Sequence, residues 1–329
     1  MRRVAVIVSA GLALTAAAPA VGATTTVRLD AEPRAAVNAG SHLWVLADRG
    51  DTRVLIEAGH LTGRPTGREV VVATGVTRDP EGTGTTTIRP SVTLAGGGVW
   101  TVDPATGDAV RVDPARAAVT VRAPIATRVV AAGPAGLWAT GPPTAVPGGL
   151  RYAVRQLDPA TGAIVGEVAF GPGLGGPREL AVGAGGVWVA RIGGWLPIVR
   201  IDARTGAESL VDVGSWRLSA HGGTLVSTRR AVCLAWVAPW AGPVRPLRMC
   251  PPRRTLYPRD LALAGGRVWW AAVAGKGAAR RGVLVRRDAS GAPGRVQVRV
   301  GRDPVDVVPS GRGVWVLSRS DRTLTRVTP

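Results

Sequence analysis

The chain has 329 residues, 46% of them hydrophobic and 19% charged, which excludes a disordered or fibrous protein and permits a sizeable core. Its 45 Gly and 26 Pro are spread along the length, the pattern of many short strands joined by turns. The formal net charge of +19 is almost all arginine, since Lys276 is the only lysine; it fits either attraction to polyanions or a general replacement of Lys by Arg.

Taken from the N-terminus, residues 1–23 read as a signal peptide. Arg2 and Arg3 form a basic start, Val4 to Ala18 an uncharged apolar run, and Val21-Gly22-Ala23 a small-residue cleavage site after the helix-breaking Pro19. The apolar run is short for a membrane span, and no later stretch is apolar enough to be one. The expectation is a secreted or extracytoplasmic protein whose residues 24–329 form one domain. Removing Arg2 and Arg3 leaves a net charge of +17.

A repeat then runs to the C-terminus. Ala95-Gly96-Gly97-Gly98-Val99-Trp100 recurs as Ala184-Gly185-Gly186-Val187-Trp188, Ala264-Gly265-Gly266-Arg267-Val268-Trp269 and Gly311-Arg312-Gly313-Val314-Trp315. Weaker copies end at Trp44 and Trp138, and one has lost its Trp, at Leu225 in Gly222-Gly223-Thr224-Leu225. The anchors 44, 100, 138, 188, 225, 269 and 315 recur about every 45 residues, the length of one four-stranded propeller blade. Within a repeat, an apolar strand such as Leu180-Ala181-Val182 enters the glycine turn, and the second strand carries Val-Trp-Val. The third strand, as in Ile198 to Asp202, ends in an Asp-Pro-Ala-Thr-Gly turn. That turn is intact at Asp158–Gly162 and degraded at Asp202–Gly206 and Asp288–Gly291; Asp bonds the turn backbone and Gly supplies positive φ. The fold expected is all-β: a seven-bladed β-propeller of four-stranded antiparallel blades, the last blade closed by the N-terminal strand.

Gly-Gly-Val-Trp-Val followed by Arg-Ile-Asp-x-x-Thr-Gly resembles the YVTN/YncE-like bacterial propeller repeats, over nearly the whole span from Thr24 to Pro329. The resemblance implies a propeller of the wider group that includes streptogramin-lyase-like and quinoprotein-like members. It implies little about activity, because the shared residues are turns and packing.

Candidate chemistry is sparse. His42, His60 and His221 have no metal-ligand spacing and no neighbouring Cys, so no metal and no cofactor is expected. The Asp turns offer one carboxylate each, too few for calcium. Of the eleven Trp, six are anchors; Trp195, Trp216, Trp236, Trp240 and Trp270 are not, and Trp195 follows Gly193-Gly194 in a loop suited to stacking on a ligand.

Three further expectations come from position. The last repeat supplies only three strands, Val305–Val308, Val314–Leu317 and Thr323–Val327, so the spare strand Thr25–Leu29 is expected to pair with Thr323–Val327 and remove two sheet edges. Cys233 and Cys250 flank a turn at Trp240-Ala241-Gly242-Pro243 symmetrically, which opposes them in a regular hairpin; in an exported chain they are expected to form a disulfide. Arginine opens the first strand of six repeats. Arg34, Arg128, Arg178 and Arg259 lie ten residues before their anchors, Arg89 eleven before Trp100, and Arg217 opens the strand of the Trp-less repeat. These residues are expected to ring one rim of the central channel, either binding phosphate or carboxylate, or joined to Asp79, Glu179, Asp260 and Asp306 as a belt between blades. The leading function is then a monomeric, non-enzymatic binding module for an anionic polymer, a small anion or another protein. The alternative is a lyase-like or quinone-dependent enzyme with its site in the channel.

Overall fold

A computed structural model describes residues 24–76, 90–170, 176–183, 185–192, 196–214, 217–221, 224–228, 234–239, 245–249, 256–275, 280–290, 295–311 and 313–328. The signal-peptide reading therefore lies outside the described residues, and none of the described helices is long and apolar enough to cross a membrane.

β1 (Thr24–Arg28) precedes a first sheet of β2 (Glu32–Ala39), β3 (His42–Arg49), β4 (Thr52–Gly59) and β5 (Pro65–Ala73). The next contains β6 (Val92–Ala95), β7 (Gly98–Val102), β8 (Ala109–Asp113) and β9 (Ala118–Ala123). Then come β10 (Val130–Gly133), β11 (Gly136–Thr140), β12 (Thr144–Val146), β13 (Gly149–Leu157) and β14 (Ile164–Phe170). β15 (Pro177–Val182), β16 (Gly186–Arg191), β17 (Pro197–Asp202) and β18 (Glu208–Gly214) form the following sheet. After it come β19 (Arg217–His221), β20 (Thr224–Thr228), β21 (Leu234–Pro239) and β22 (Arg245–Arg248). β23 (Leu256–Ala264), β24 (Arg267–Ala274), β25 (Arg281–Asp288) and β26 (Arg295–Val300) precede the last three strands, β27 (Pro304–Ser310), β28 (Gly313–Ser318) and β29 (Thr323–Val327).

The expectation of seven four-stranded blades is corrected. Among the described residues six sheets are four-stranded and antiparallel, and the sheet that begins with β10 has five strands. The cause is Gly141-Pro142-Pro143. Two prolines cannot donate to a ladder, so the second strand breaks after Thr140 and resumes as β12. Both pieces pair with β13: Thr140 with Val154, then Thr144 with Arg151. The result is one long hairpin whose outer half projects beyond its blade.

The first strand of each sheet touches the first strand of the next, from β2 through β6, β10, β15, β19, β23 and β27 back to β2, so these strands line the centre of a closed ring. β1 pairs antiparallel with β29, from Thr24 opposite Val327 to Arg28 opposite Thr323, which makes the N-terminal strand the outer strand of the last blade. Burial falls outward. Second strands such as β7, β16 and β28 are buried at every residue, because a blade is covered on both faces; outer strands such as β9 alternate exposed and half-buried.

Tryptophan holds the faces together. Trp44 packs with Val99, Val110 and Val112 of the following blade, Trp100 with Leu137 and Leu157, and Trp315 with Leu43 and Val45 across the closure. The Asp-turn glycine completes the fit: a Cβ on Gly162, at φ 74°, would collide with the Ala123 Cβ and press on the ring edge of Trp100, both of the preceding blade. In four blades the residue paired with the anchor Trp on the third strand is arginine: Arg111, Arg200, Arg286 and Arg326. Arg200 and Arg286 lie 5.9 and 5.6 Å from the ring centres of Trp188 and Trp269. Part of the basic charge is thus committed to architecture.

Candidate ligand-binding rim

The innermost strands begin with a recurring device. In four blades a proline pairs with the end of the second strand, and the residue after it is an extra, bulged residue. The triplets are Pro33-Arg34-Ala35, Pro177-Arg178-Glu179, Pro258-Arg259-Asp260 and Pro304-Val305-Asp306. Proline is tolerated there because the adjoining bulge already interrupts the ladder, and a bulge re-aims its side chain. The signal in the sequence is proline eleven residues before the anchor.

The carboxylates that follow link adjacent blades through backbone amides. Each reaches the next blade and accepts a backbone N–H of its innermost strand. Asp306 Oδ2 accepts Ala36 N at 2.7 Å, Asp260 Oδ2 accepts Val307 N at 2.7 Å, and Glu179 Oε1 accepts Leu218 N at 3.1 Å. Ser91 Oγ does the same for Val130 N at 3.0 Å. A second rung lies two residues further along: Thr93 Oγ1 accepts Ala132 N at 3.0 Å and Ser219 Oγ accepts Leu263 N at 3.4 Å. Inner strands of adjacent blades are not hydrogen-bonded as a sheet, so these side chains satisfy amides that would otherwise be buried and unpaired.

The pairing also corrects the phase of the Trp-less repeat. Trp188 is opposite Ala181 and Trp269 opposite Ala262, seven residues back; in β20 the residue opposite the strand position seven back is Val226, paired with Ser219. The anchor equivalent is therefore Val226, not Leu225, because every first turn holds two residues and the lost Trp left its phase unreadable. Arg217 then falls at the position of Glu179 and Asp260 rather than in register with Arg178. Its side chain lies outside the described residues, as do Arg89 and Asp79.

The other rim arginines divide. Arg34 donates to Asp48 at 2.7 Å and to Glu32 at 3.3 Å within its own blade, and Arg53 also holds Asp48, at 2.7 Å. Burial pushes the Asp48 carboxyl up, but the hydrogen bonds and charges of Arg53 and Arg34 outweigh it and the net shift is downward. Arg259 crosses to Asp303 of the next blade at 3.4 Å, and Arg319 holds the same carboxylate at 2.6 Å. Arg178 is buried, at 2% exposure. Arg191 beside it, at the end of β16, donates to the Pro197 carbonyl at 3.0 Å, and burial lowers its pKa. Arg128 is exposed, and among the described residues only its backbone N–H is anchored, to Thr140 Oγ1 at 3.1 Å. Arg34 is thus ion-paired within its own blade, Arg259 is ion-paired across to the next, and Arg128 faces solvent.

The remaining candidates are structural. Asp158 Oδ1 accepts Ala160 N at 2.9 Å and Thr161 N at 2.7 Å, and Asp202 repeats the pattern with Arg204 and Thr205. Both carboxyls are lowered chiefly by the Thr backbone bond. The same pentapeptide at Asp103–Gly107 joins a second to a third strand, on the opposite face from Asp158–Gly162, so it is turn chemistry with no fixed place in the blade. His60 Nε2 and Ser310 Oγ are 2.8 Å apart, while the His60 carbonyl accepts Trp315 Nε1 at 3.0 Å. With Ser310 buried, this pair staples the β4–β5 loop to the last blade. His42 lies 3.7 Å from Glu57. No group of three His, Cys, Asp or Glu suited to a metal occurs among the described residues. Trp195, Cys233 and Cys250 lie outside them.

No family model matches the chain, and no curated protein matches it. Solved structures do. Virginiamycin B lyase from Staphylococcus aureus is 15% identical, with 93% of this chain and 99% of that one covered at a TM-score of 0.64. A streptogramin B lyase structure is 12% identical over 93% and 98%, also at 0.64. Hydrazine synthase from Kuenenia stuttgartiensis is 14% identical over 92% and 97%, at 0.65. At these identities the likeness establishes the β-propeller fold alone.

Proposed function

We propose that this chain is an exported, monomeric YVTN-like propeller that binds rather than catalyses, receiving an anionic ligand on the face where the innermost strands begin. The observation that carries the reading is Arg128, exposed on a rim whose backbone is fixed by side chain-to-amide clamps between blades, with no carboxylate closing on it among the described residues. Guanidinium forks on a rigid rim match phosphate and carboxylate oxygens bidentately. A net charge of +17 after removal of Arg2 and Arg3 draws polyanions to the protein, including the phosphate polymers of a cell envelope.

The test is a binding screen of the purified protein against envelope polyanions, nucleic acid and small anions, with Arg128→Ala and Arg178→Ala in parallel. Arg128→Ala is expected to weaken binding with an unchanged melting temperature. Arg178→Ala is expected to lower the melting temperature, because its side chain is buried. Equal binding by Arg128→Ala and the parent would end the rim reading.

A further inference from the structure

A second concentration of arginine lies away from the channel. At the start of β25 and the end of β26, Arg280, Arg281, Arg299 and Arg302 line a cleft of about 280 Å³ with Gly282, Val300 and Asp321. Two glycines bring its walls together. A Cβ on Gly282 would meet the Gly301 carbonyl oxygen, and one on Gly301 would meet Ser318 and Thr323 of the last blade. The link from β26 to β27 thus lies tight against the neighbouring blade, and the cleft sits across that junction.

Its charge is unbalanced. Asp321 is the one carboxylate in the lining, and Arg302 already holds it through both its backbone N–H, at 2.7 Å, and its Nε, at 2.8 Å. Burial pushes the Asp321 carboxyl up, but the Arg302 bonds and the charges of Arg302 and Arg28 bring the net shift down, so Asp321 is ionised and engaged. Asp303 nearby is taken by Arg319 and Arg259. Arg280, Arg281 and Arg299 are exposed, and no carboxylate closes on them among the described residues. Like charges gathered around a concavity repel one another and focus positive potential into it. The packing role that explains the arginines over the Trp rings does not apply, since these three cover no buried ring.

We infer that this cleft is a binding site for a small multivalent oxyanion, a diphosphate group, held by the forks of Arg281 and Arg299 with Arg280 adding charge. The size suits a few phosphate units rather than a folded partner. The group would come either from a free diphosphate or from consecutive phosphates of a polymer. The site is separate from the channel rim and does not depend on Arg128.

Calorimetric titration of the purified protein with inorganic pyrophosphate and with short-chain polyphosphate tests it. Pyrophosphate should bind saturably, more weakly as salt rises. Arg281→Ala and Arg299→Ala should each weaken it roughly tenfold, the loss of one charge-assisted bond, with melting temperatures unchanged because both side chains are exposed. Arg128→Ala should bind pyrophosphate as the parent does; this separates failure of the cleft from failure of the rim. Polyphosphate binding much tighter than pyrophosphate, and equally sensitive to Arg281→Ala, assigns the site to a polymer; parity assigns it to the free anion. No saturable pyrophosphate binding, or binding that survives Arg281→Ala with Arg299→Ala, overturns the inference.

Discussion

The β6–β9 blade and the β19–β22 blade solve the same packing problem differently. In the first, Trp100 is fully buried and packs forward into the next blade against Leu137 and Leu157. In the second, the register puts Val226, a smaller residue, at the anchor position. The following blade contributes a large aromatic to the same junction. Trp269 and Trp270 are adjacent on β24, so their side chains point to opposite faces. Trp269 goes forward to Val307 and Val316, while Trp270, fully buried, goes back to Leu247 and Met249 of the Trp-less blade. An interface between blades needs one large aromatic, and either partner can supply it.

The largest effect expected from this comparison is at Trp270. Trp270→Ala should cost about 3–5 kcal/mol in denaturant unfolding, the usual loss for a buried aromatic, and as much as Trp269→Ala although Trp270 has no place in the repeat. A cost under about 1 kcal/mol would break the comparison.

This is also where legibility in the sequence ends. The glycine-tryptophan turns and the count of strands in the last repeat disclose the propeller, its blade length and the closure by β1, because those features are local and periodic. Trp270 is invisible, because its meaning depends on what a neighbouring blade lacks. The phase of Val226 is unreadable once the Trp is gone. Gly141-Pro142-Pro143 announces a break, but not that β12 resumes on the same partner strand. At the rim, residue positions are legible and partners are not: Asp260 and Asp306 are near arginines in sequence, yet they accept amides of the next blade. The cleft brings Arg281 and Arg299, 18 apart on neighbouring strands of one blade, beside Asp321 of the next, and carries no motif.

Next in size are the clamps at the inner strands. Asp306→Ala leaves the Ala36 N–H without its acceptor and should cost about 1–3 kcal/mol. The same change at Arg128 should cost nothing measurable, which sharpens the division between scaffold and surface on the rim.

Gly162→Ala should follow at about 1–2 kcal/mol from the positive φ alone, increased by collision with Ala123 and crowding of Trp100. Glycine at 206, where the nearest Cβ contact is Val168 rather than a Trp ring, should show only the backbone part.

The smallest effect is that of His60. Burial first, then the Arg326 charge, lowers its pKa below the ordinary 6.5. The unfolded chain therefore binds the proton more readily, and stability falls as pH drops below about 6.5, levelling off beneath the folded-state value. His60→Gln should flatten that part of the stability–pH curve; an unchanged curve would remove His60 from the account.

The most direct test of the account is an exchange of the two routes, with unfolding free energies measured for Val226→Trp, Trp270→Val and the double variant. Trp270 occupying the place of the missing anchor predicts that Val226→Trp alone overpacks the junction, at about 1–3 kcal/mol, that Trp270→Val alone leaves a void, and that the double variant recovers most of both losses. Costs that simply add would mean the two positions do not share a space and would contradict the account.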